Sequence, residues 1–209
     1  QAFIDYEFPR HLFIETTAAC NLFCSFCPRE KVKEHMDFGL FRKIIDEASE
    51  YGPRSFSLHL FGEPLLYPHW FDSIQYIRKR NKRHTVLLTT NGTLLNRLVD
   101  KVIESNPDQI LWSWRPEVKF TEETKEKLRK WGKFRVRFIK EVTSESGRTE
   151  WTNWKNKEER SMHNYGGNID LKKSLTSSSS QTRWECYHLW MAPAISWNGD
   201  FLMCCADPH

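Results

Sequence analysis

The sequence predicts an α/β fold in which six strand–helix units form an incomplete barrel. Short apolar segments typical of β-strands alternate with amphipathic segments typical of α-helices through the first two thirds of the 209 residues. This alternation implies parallel strands joined by right-handed crossovers. The length suits one domain, or one domain with a small appendix, and allows a sizeable core.

The predicted strands end in segments that are rich in Cys, Gly, Asn or Ser. The predicted strands themselves comprise residues 12–16, 55–61, 85–90, 109–114 and 134–140. A sixth strand is expected near residues 162–165 or 168–171. Catalytic groups of barrels gather at the carboxyl ends of the strands, so these ends are the first place to seek a site.

The predicted helices carry apolar residues at the spacing i, i+3, i+4, i+7. Residues 38–51, 69–80 and 95–104 show this pattern. Thr121 is expected to cap a fourth helix that ends just before Gly132. Residues 151–160 are expected to be helical as well.

The C-terminal part of the chain differs in composition from the barrel. Residues 1–173 are expected to form the barrel, 174–183 a Ser-rich linker, and 184–209 a Cys-containing extension. Within the extension, apolar residues 194–197 and 201–203 flank Asn198-Gly199, which predicts a β-hairpin.

Composition narrows the class of partner. The net charge of +4 is mild, and the basic run at residues 78–83 lies where a helix ends, so nucleic acid is disfavoured. No apolar run approaches the ~20 residues of a membrane span, and the first ten residues lack a signal-peptide pattern. The six cysteines cluster at the two ends of the chain, as metal ligands would, which favours a reducing cytoplasm.

The loop after the first strand holds the most informative pattern. Cys20, Cys24 and Cys27 follow the spacing Cys-x3-Cys-x2-Cys, within ETTAACNLFCSFCPRE. Three thiolates on a four-iron cubane leave one iron open to a ligand that is not protein, whereas an electron-carrying cluster normally takes four Cys. The alternatives are a zinc site, which prefers four closed ligands, and a disulfide.

This loop resembles that of the radical S-adenosylmethionine (SAM) superfamily. The resemblance implies a partial (β/α)6 TIM-like barrel and a 4Fe–4S cluster whose open iron binds SAM. It also implies reductive cleavage of SAM to a 5′-deoxyadenosyl radical that abstracts a substrate hydrogen. A reductant such as flavodoxin or ferredoxin would be a partner. Phe26 matches the aromatic residue that packs near the adenine of SAM.

The same resemblance identifies candidate SAM contacts at three strand ends. Phe61-Gly62-Glu63 is similar to the family's Gly-Gly-Glu motif, in which backbone carbonyls and the acid receive the ammonium group of SAM, although Phe61 replaces the first Gly. Thr90-Asn91 is similar to a segment near the ribose and carboxylate of SAM, but Asn91 also fits an ordinary Asn-Gly turn.

The fourth strand end departs further from the family pattern. Ser113 matches a Ser near SAM, while Arg115 stands where relatives commonly have Asp. Arg115 can hold an acidic group of a substrate or pair with Glu117. His59 is expected to pack on the inner layer, and residues 163–167, HNYGG, to form a turn.

A second cysteine group frames the predicted hairpin. Cys186, Cys204 and Cys205 resemble the start of a SPASM or Twitch extension, which would nucleate an auxiliary Fe–S cluster. Either the chain is a shortened member of that group, or the remaining ligands lie beyond these 209 residues. His188, Asp207 or His209 are candidates for a further ligand, and the alternative is three unmetallated thiols.

Together these features predict a radical SAM enzyme that modifies a peptide or protein. An open barrel and an auxiliary-type cysteine group favour a peptide, whereas the ten residues before His11 are too few for a peptide-recognition domain. The alternatives are a radical SAM enzyme acting on an alcohol, sugar, nucleoside or RNA, and a non-enzymatic Fe–S or zinc module.

Overall fold

Parallel strands alternate with helices in the computed structural model, which describes residues 8–24, 27, 32–115, 117–138, 148–153, 156–161 and 192–202. The first strands and helices are β1 (His11–Ile14), α1 (Phe38–Glu50), β2 (Ser55–Ser57), α2 (Trp70–Arg80) and β3 (Thr85–Thr90). The chain continues with α3 (Leu95–Ser105), β4 (Gln109–Trp114), α4 (Glu122–Trp131) and β5 (Phe134–Phe138). A short 3-10 helix, Pro64–Leu66, lies between β2 and α2. The predicted order of strands and helices is confirmed up to β5.

The main sheet has seven strands in the order β5-β4-β3-β2-β1-β8-β9, where β8 is Ala194–Ile195 and β9 is Phe201–Leu202. All neighbouring pairs from β5 to β1 are parallel. Within the described ranges β5 and β9 are the two edges, so this sheet does not close on itself. The predicted partial barrel is therefore confirmed as an open parallel sheet. The expected sixth strand at residues 162–165 or 168–171 lies outside the described residues.

One core joins the sheet to the helices. Alternate residues of the strands, such as Leu12, Ile14, Val86 and Leu88, are buried against the apolar faces of the helices. Helix α1 contributes Phe41, Ile45 and Ala48, as its sequence period predicts. The remaining strand positions face away from this core, and there the sheet offers a second surface.

Helix ends follow their local chemistry. Thr121 Oγ1 accepts a hydrogen bond from Thr124 N at 3.1 Å, and Gly132 has φ +76°, as predicted for α4. Asp37 caps α1 in the same way, because its carboxylate accepts from Leu40 N.

The expected helix over residues 151–160 is wrong. This segment belongs to an antiparallel hairpin of β6 (Arg148–Asn153) and β7 (Asn156–Ser161). Thr149, Trp151 and Thr152 are β-branched or aromatic residues that prefer strands. Asn153 pairs with Asn156 across a two-residue connection, a spacing typical of a tight hairpin turn.

The predicted C-terminal hairpin is present and joins the main sheet. Its strands are β8 (Ala194–Ile195) and β9 (Phe201–Leu202), with Gly199 at φ +95° in the turn. Strand β8 pairs in parallel with β1 and places Ala194 opposite Phe13. The hairpin therefore extends the barrel sheet beside the strand that leads into the cysteine loop. The expected boundaries at 173/174 and 183/184 lie outside the described residues.

Candidate active site

Hydrogen bonds hold the start of the cysteine loop, directly after β1. Thr17 Oγ1 accepts from Ala19 N at 3.0 Å and donates to the carbonyl of Glu34, on the segment that returns toward α1. Cys27 N donates to the carbonyl of Cys24 at 3.1 Å, which closes a turn between the second and third cysteines. The chain thus anchors the base of the loop and turns it back on itself.

None of the three loop cysteines is in a disulfide, and each is partly exposed. Two of the sulfurs accept hydrogen bonds from other strand ends: Cys20 Sγ from Asn91 Nδ2 at 3.8 Å, and Cys24 Sγ from Arg115 Nη2 at 3.4 Å. Phe26 lies outside the described residues. Within the described part of the chain, no three His, Cys, Asp or Glu side chains meet at a point that could hold a single metal ion.

Phe61–Glu63 follow β2 on its carboxyl-terminal side, and this segment, the end of β2, packs directly on the cysteine loop. Glu63 N donates to the carbonyl of Ala19 at 2.8 Å, next to the first cysteine. A Cβ on Gly62 would lie 1.8 Å from the carbonyl oxygen of Thr17, so only glycine fits there. The predicted strand over residues 55–61 is too long, because β2 ends at Ser57 and Phe61 N donates to the side chain of Glu15 (Oε1, 3.3 Å).

Glu63 is a buried carboxylate, with 2% of its surface exposed. Its Oε1 accepts from the Thr90 hydroxyl at 2.6 Å and from Leu65 N, and its Oε2 accepts from Asn91 N at 2.7 Å. Burial raises the pKa of Glu63 from 4.5 to about 7, although these hydrogen bonds oppose the shift. The side chain therefore fastens the end of β2 to the end of β3.

Asn91 connects the end of β3 to the cysteine loop. Its Nδ2 donates to Asn21 Oδ1 at 2.8 Å in addition to Cys20, while its Oδ1 accepts from Thr93 N and the Thr93 hydroxyl. Gly92 follows at φ +84°, and a Cβ there would meet the indole of Trp112 at 2.4 Å. The Asn-Gly turn is present, and the Asn91 side chain also contacts the cysteine loop, while its contact with SAM stays a prediction.

Ser113 and Arg115 have different surroundings at the end of β4. Ser113 is half-buried and lies opposite Arg137 in the parallel pairing of β4 with β5. Arg115 follows the strand, and its Nη1 donates to the carbonyl of Trp114 while its Nη2 donates to Cys24. Of these two residues, Arg115 is the one with a described contact to the cysteine loop.

Glu15 is a site residue that the sequence reasoning did not identify. It is 1% exposed, and besides Phe61 N it accepts from Trp197 N of the C-terminal hairpin at 3.4 Å. An acid at the end of an apolar strand was the available signal. Glu15 links the end of β2, the cysteine loop and the hairpin.

His59 lies on the sheet face away from the helices. Its Nε2 is 3.1 Å from the Thr89 hydroxyl, and its ring meets Phe13 edge-on. The second cysteine group and the segment at residues 163–167 lie outside the described residues, together with His188, Asp207 and His209. That cysteine group comprises Cys186, Cys204 and Cys205. The structure brings together the ends of β1, β2, β3 and β4 without them.

Comparison with known proteins finds one matching family. The sequence pattern of the Radical SAM superfamily matches residues 14–114. The "Tungsten-containing aldehyde ferredoxin oxidoreductase cofactor-modifying protein" of Pyrococcus furiosus is 30% identical over 110 residues, which cover 50% of this chain and 30% of that protein. The "GTP 3',8-cyclase" of Chlorobaculum tepidum is 32% identical over 100 residues, 46% of this chain and 30% of that protein. The matches therefore span under a third of these relatives' own length.

Solved structures resemble nearly the whole chain. BtrN in complex with AdoMet and 2-DOIA gives a TM-score of 0.69 at 18% identity, over 98% of this chain and 76% of that one. SuiB of Streptococcus suis bound to precursor peptide SuiA gives 0.51 at 17% identity, over 95% and 60%. At these identities the likeness is one of fold. The fold likeness is compatible with the sequence match, in which residues 14–114 of this chain match the Radical SAM superfamily.

Proposed function

We propose that this chain is an enzyme that cleaves SAM reductively at a 4Fe–4S cluster held by Cys20, Cys24 and Cys27. The observation that carries the proposal is the polar contact between this loop and the ends of β3 and β4, through Asn91 and Arg115. When bound, the cluster and SAM supply a 5′-deoxyadenosyl radical that abstracts a hydrogen atom from substrate. The protein supplies the ligands, holds SAM and positions the substrate.

The donor set fits a cubane better than a zinc ion. A structural zinc ion needs four ligands at about 2.0–2.3 Å from one centre. In the described part of the chain no three potential ligands converge in that way. In a cubane each thiolate binds a different iron, so the three sulfurs do not have to meet. The loop supplies three thiols outside any disulfide, which would leave the fourth iron for SAM.

We propose that side chain and backbone have different roles at the end of β2. The carboxylate of Glu63 already accepts hydrogen bonds from Thr90, Asn91 and Leu65, so its role is to fix the ends of β2 and β3. The backbone of Phe61, Gly62 and Glu63 then offers acceptors to the ammonium group of SAM. Further SAM contacts are assigned to the side chains of Phe26, Asn91 and Ser113.

The C-terminal cysteines are proposed as ligands of an auxiliary cluster of the SPASM or Twitch type. Strand β9 ends at Leu202, two positions before Cys204 and three before Cys205. Its partner β8 pairs with β1, so Leu202 ends a strand that belongs to the barrel sheet. Cys186 would complete the three thiols that this chain offers. Such a cluster, like the first, requires a reducing compartment, and we propose the cytoplasm, with flavodoxin or ferredoxin as reductant.

For the substrate we propose a side chain of a peptide or protein. The described part of the sheet is open at β5 and β9, and an open edge admits an extended chain more readily than a closed barrel does. The solved structure of SuiB with its precursor peptide has a comparable fold.

A small polar molecule is the second candidate. The sheet face away from the helices carries two hydrogen-bonded polar pairs, His11 with Ser57 at 2.8 Å and His59 with Thr89 at 3.1 Å. Such groups suit a hydroxylated substrate. The names of the two sequence relatives refer to a nucleotide and a cofactor, and BtrN was solved with 2-DOIA.

Metal analysis of anaerobically prepared protein tests the proposed cluster. We expect iron and sulfide in equal amounts, and an EPR signal of the reduced cluster that changes when SAM is added, because SAM binds the open iron. Cys24→Ala should remove this SAM-sensitive signal, and Cys186→Ala should keep it. Zinc in place of iron, or an EPR signal that does not change when SAM is added, would rule the proposal out.

A further inference from the structure

Among the described residues, two acceptors hold Arg115 beside the cysteine loop. Its Nη2 lies 3.4 Å from Cys24 Sγ, and its Nη1 lies 3.2 Å from the carbonyl oxygen of Trp114. The contact joins residues 91 positions apart, from the end of β4 to the middle cysteine. The residue is half-buried, so solvent screens its charge less than that of a surface arginine. A guanidinium is positively charged at every pH at which the protein folds.

A permanent positive charge at this place acts on electron transfer. One-electron reduction makes an Fe–S cluster and its thiolates more negative, and hydrogen bonds to the sulfurs and local net charge set the reduction potential. An N–H donor and a cation beside Cys24 stabilise the reduced state more than the oxidised state. Asn91 donates to Cys20 on another side of the loop, but as a neutral amide at the longer distance of 3.8 Å.

We infer that Arg115 raises the reduction potential of the cluster bound by Cys20, Cys24 and Cys27. The inference rests on the proposed function, because it requires the cluster at these thiols. Arg115 is a positioning residue here, since it acts on the cluster through Cys24. The effect makes the cluster easier to reduce by the one-electron donor that starts SAM cleavage.

An EPR-monitored redox titration without SAM tests this role. Omitting SAM and substrate means that no contact of Arg115 with either can contribute. We expect Arg115→Gln to lower the equilibrium constant for one-electron reduction of the cluster about tenfold. This corresponds to a reduction potential that is more negative by about 59 mV. Arg115→Lys keeps the charge but loses the planar fork, so its shift should be smaller and in the same direction.

Arg83→Gln is the matched control. Arg83 is exposed in the turn that precedes β3, at the opposite end of the sheet from the cysteine loop, and its loss changes net charge by the same amount. The reduction potential of the cluster in Arg83→Gln should equal that in the wild type. Equal potentials in Arg115→Gln and Arg83→Gln, with equal iron content, would overturn the inference.

Folding and cluster loading are checked separately from the potential. If Arg115→Gln fails to hold iron, Arg115→Lys decides: a wild-type potential there overturns the inference, and a more negative one supports it. Absence of any cluster in the wild type would instead contradict the proposed function, so the two failures are distinguishable.

Discussion

A Cβ on Gly62 would lie 1.8 Å from the carbonyl oxygen of Thr17, which shows how tightly the end of β2 presses on the start of the cysteine loop. Glu63 N donates to the carbonyl of Ala19 at the same junction. Two segments assigned to different cofactors, the cluster and SAM, therefore share one backbone contact surface. Movement of one must displace the other.

Gly62→Ala should damage both cluster loading and SAM binding. The new methyl group cannot fit against the backbone of Thr17, so the end of β2 must move away, at a cost of about 1–3 kcal/mol or more. We expect lower iron content after reconstitution and a weaker response of the EPR signal to SAM. Gly52→Ala is the control, because nothing lies within 4 Å of its Cβ. It should cost about 1 kcal/mol for its positive φ and load normally. Normal iron content and SAM response in Gly62→Ala would contradict this account.

Glu63 should make the stability of the cluster-free protein depend on pH. Burial raises its pKa from 4.5 to about 7, so the folded state binds the proton more tightly than the unfolded state. The stabilisation is present below pH 4.5 and is lost as pH rises through about 7, by roughly 3 kcal/mol in total. Urea unfolding of wild type and Glu63→Gln over this range measures the difference. Free-energy curves that stay parallel from pH 4.5 to 7.5 would show that Glu63 does not titrate in this way.

Glu15→Gln should loosen the C-terminal hairpin and the end of β2 together. The carboxylate accepts from Phe61 N and from Trp197 N, and an amide can accept at only one of its two ends. A buried N–H left without its acceptor costs about 1–3 kcal/mol. Hydrogen exchange should become faster at both amides. Ser196→Ala, which removes a hydroxyl within the hairpin turn, should affect the hairpin alone. Unchanged exchange at Phe61 in Glu15→Gln would count against the link.

Local sequence patterns were sufficient wherever structure depends on near neighbours. The bounds of β3 and β4 and the cap of α4 by Thr121 follow from residue period and capping chemistry. The expected helix at residues 151–160 failed because its charged residues suit a helix while Thr149, Trp151 and Thr152 favour pairing in a hairpin.

Long-range contacts account for what the sequence could not predict. The hydrogen bond from Trp197 to Glu15 spans 182 positions, and that from Arg115 to Cys24 spans 91. The periodicity of apolar residues within a segment carries no information about contacts between residues so far apart in sequence. The cysteine spacing identified the loop, but only the fold shows that Asn91 and Arg115 donate to two of its sulfurs.

Formation of 5′-deoxyadenosine tests the central claim most directly. The protein is reconstituted with iron and sulfide under anaerobic conditions, and then incubated with SAM and dithionite. Chromatography measures the 5′-deoxyadenosine formed. Wild type and Cys186→Ala should produce it, and Cys24→Ala should produce none above the protein-free background. Wild-type protein that holds a 4Fe–4S cluster yet yields no 5′-deoxyadenosine would contradict the account.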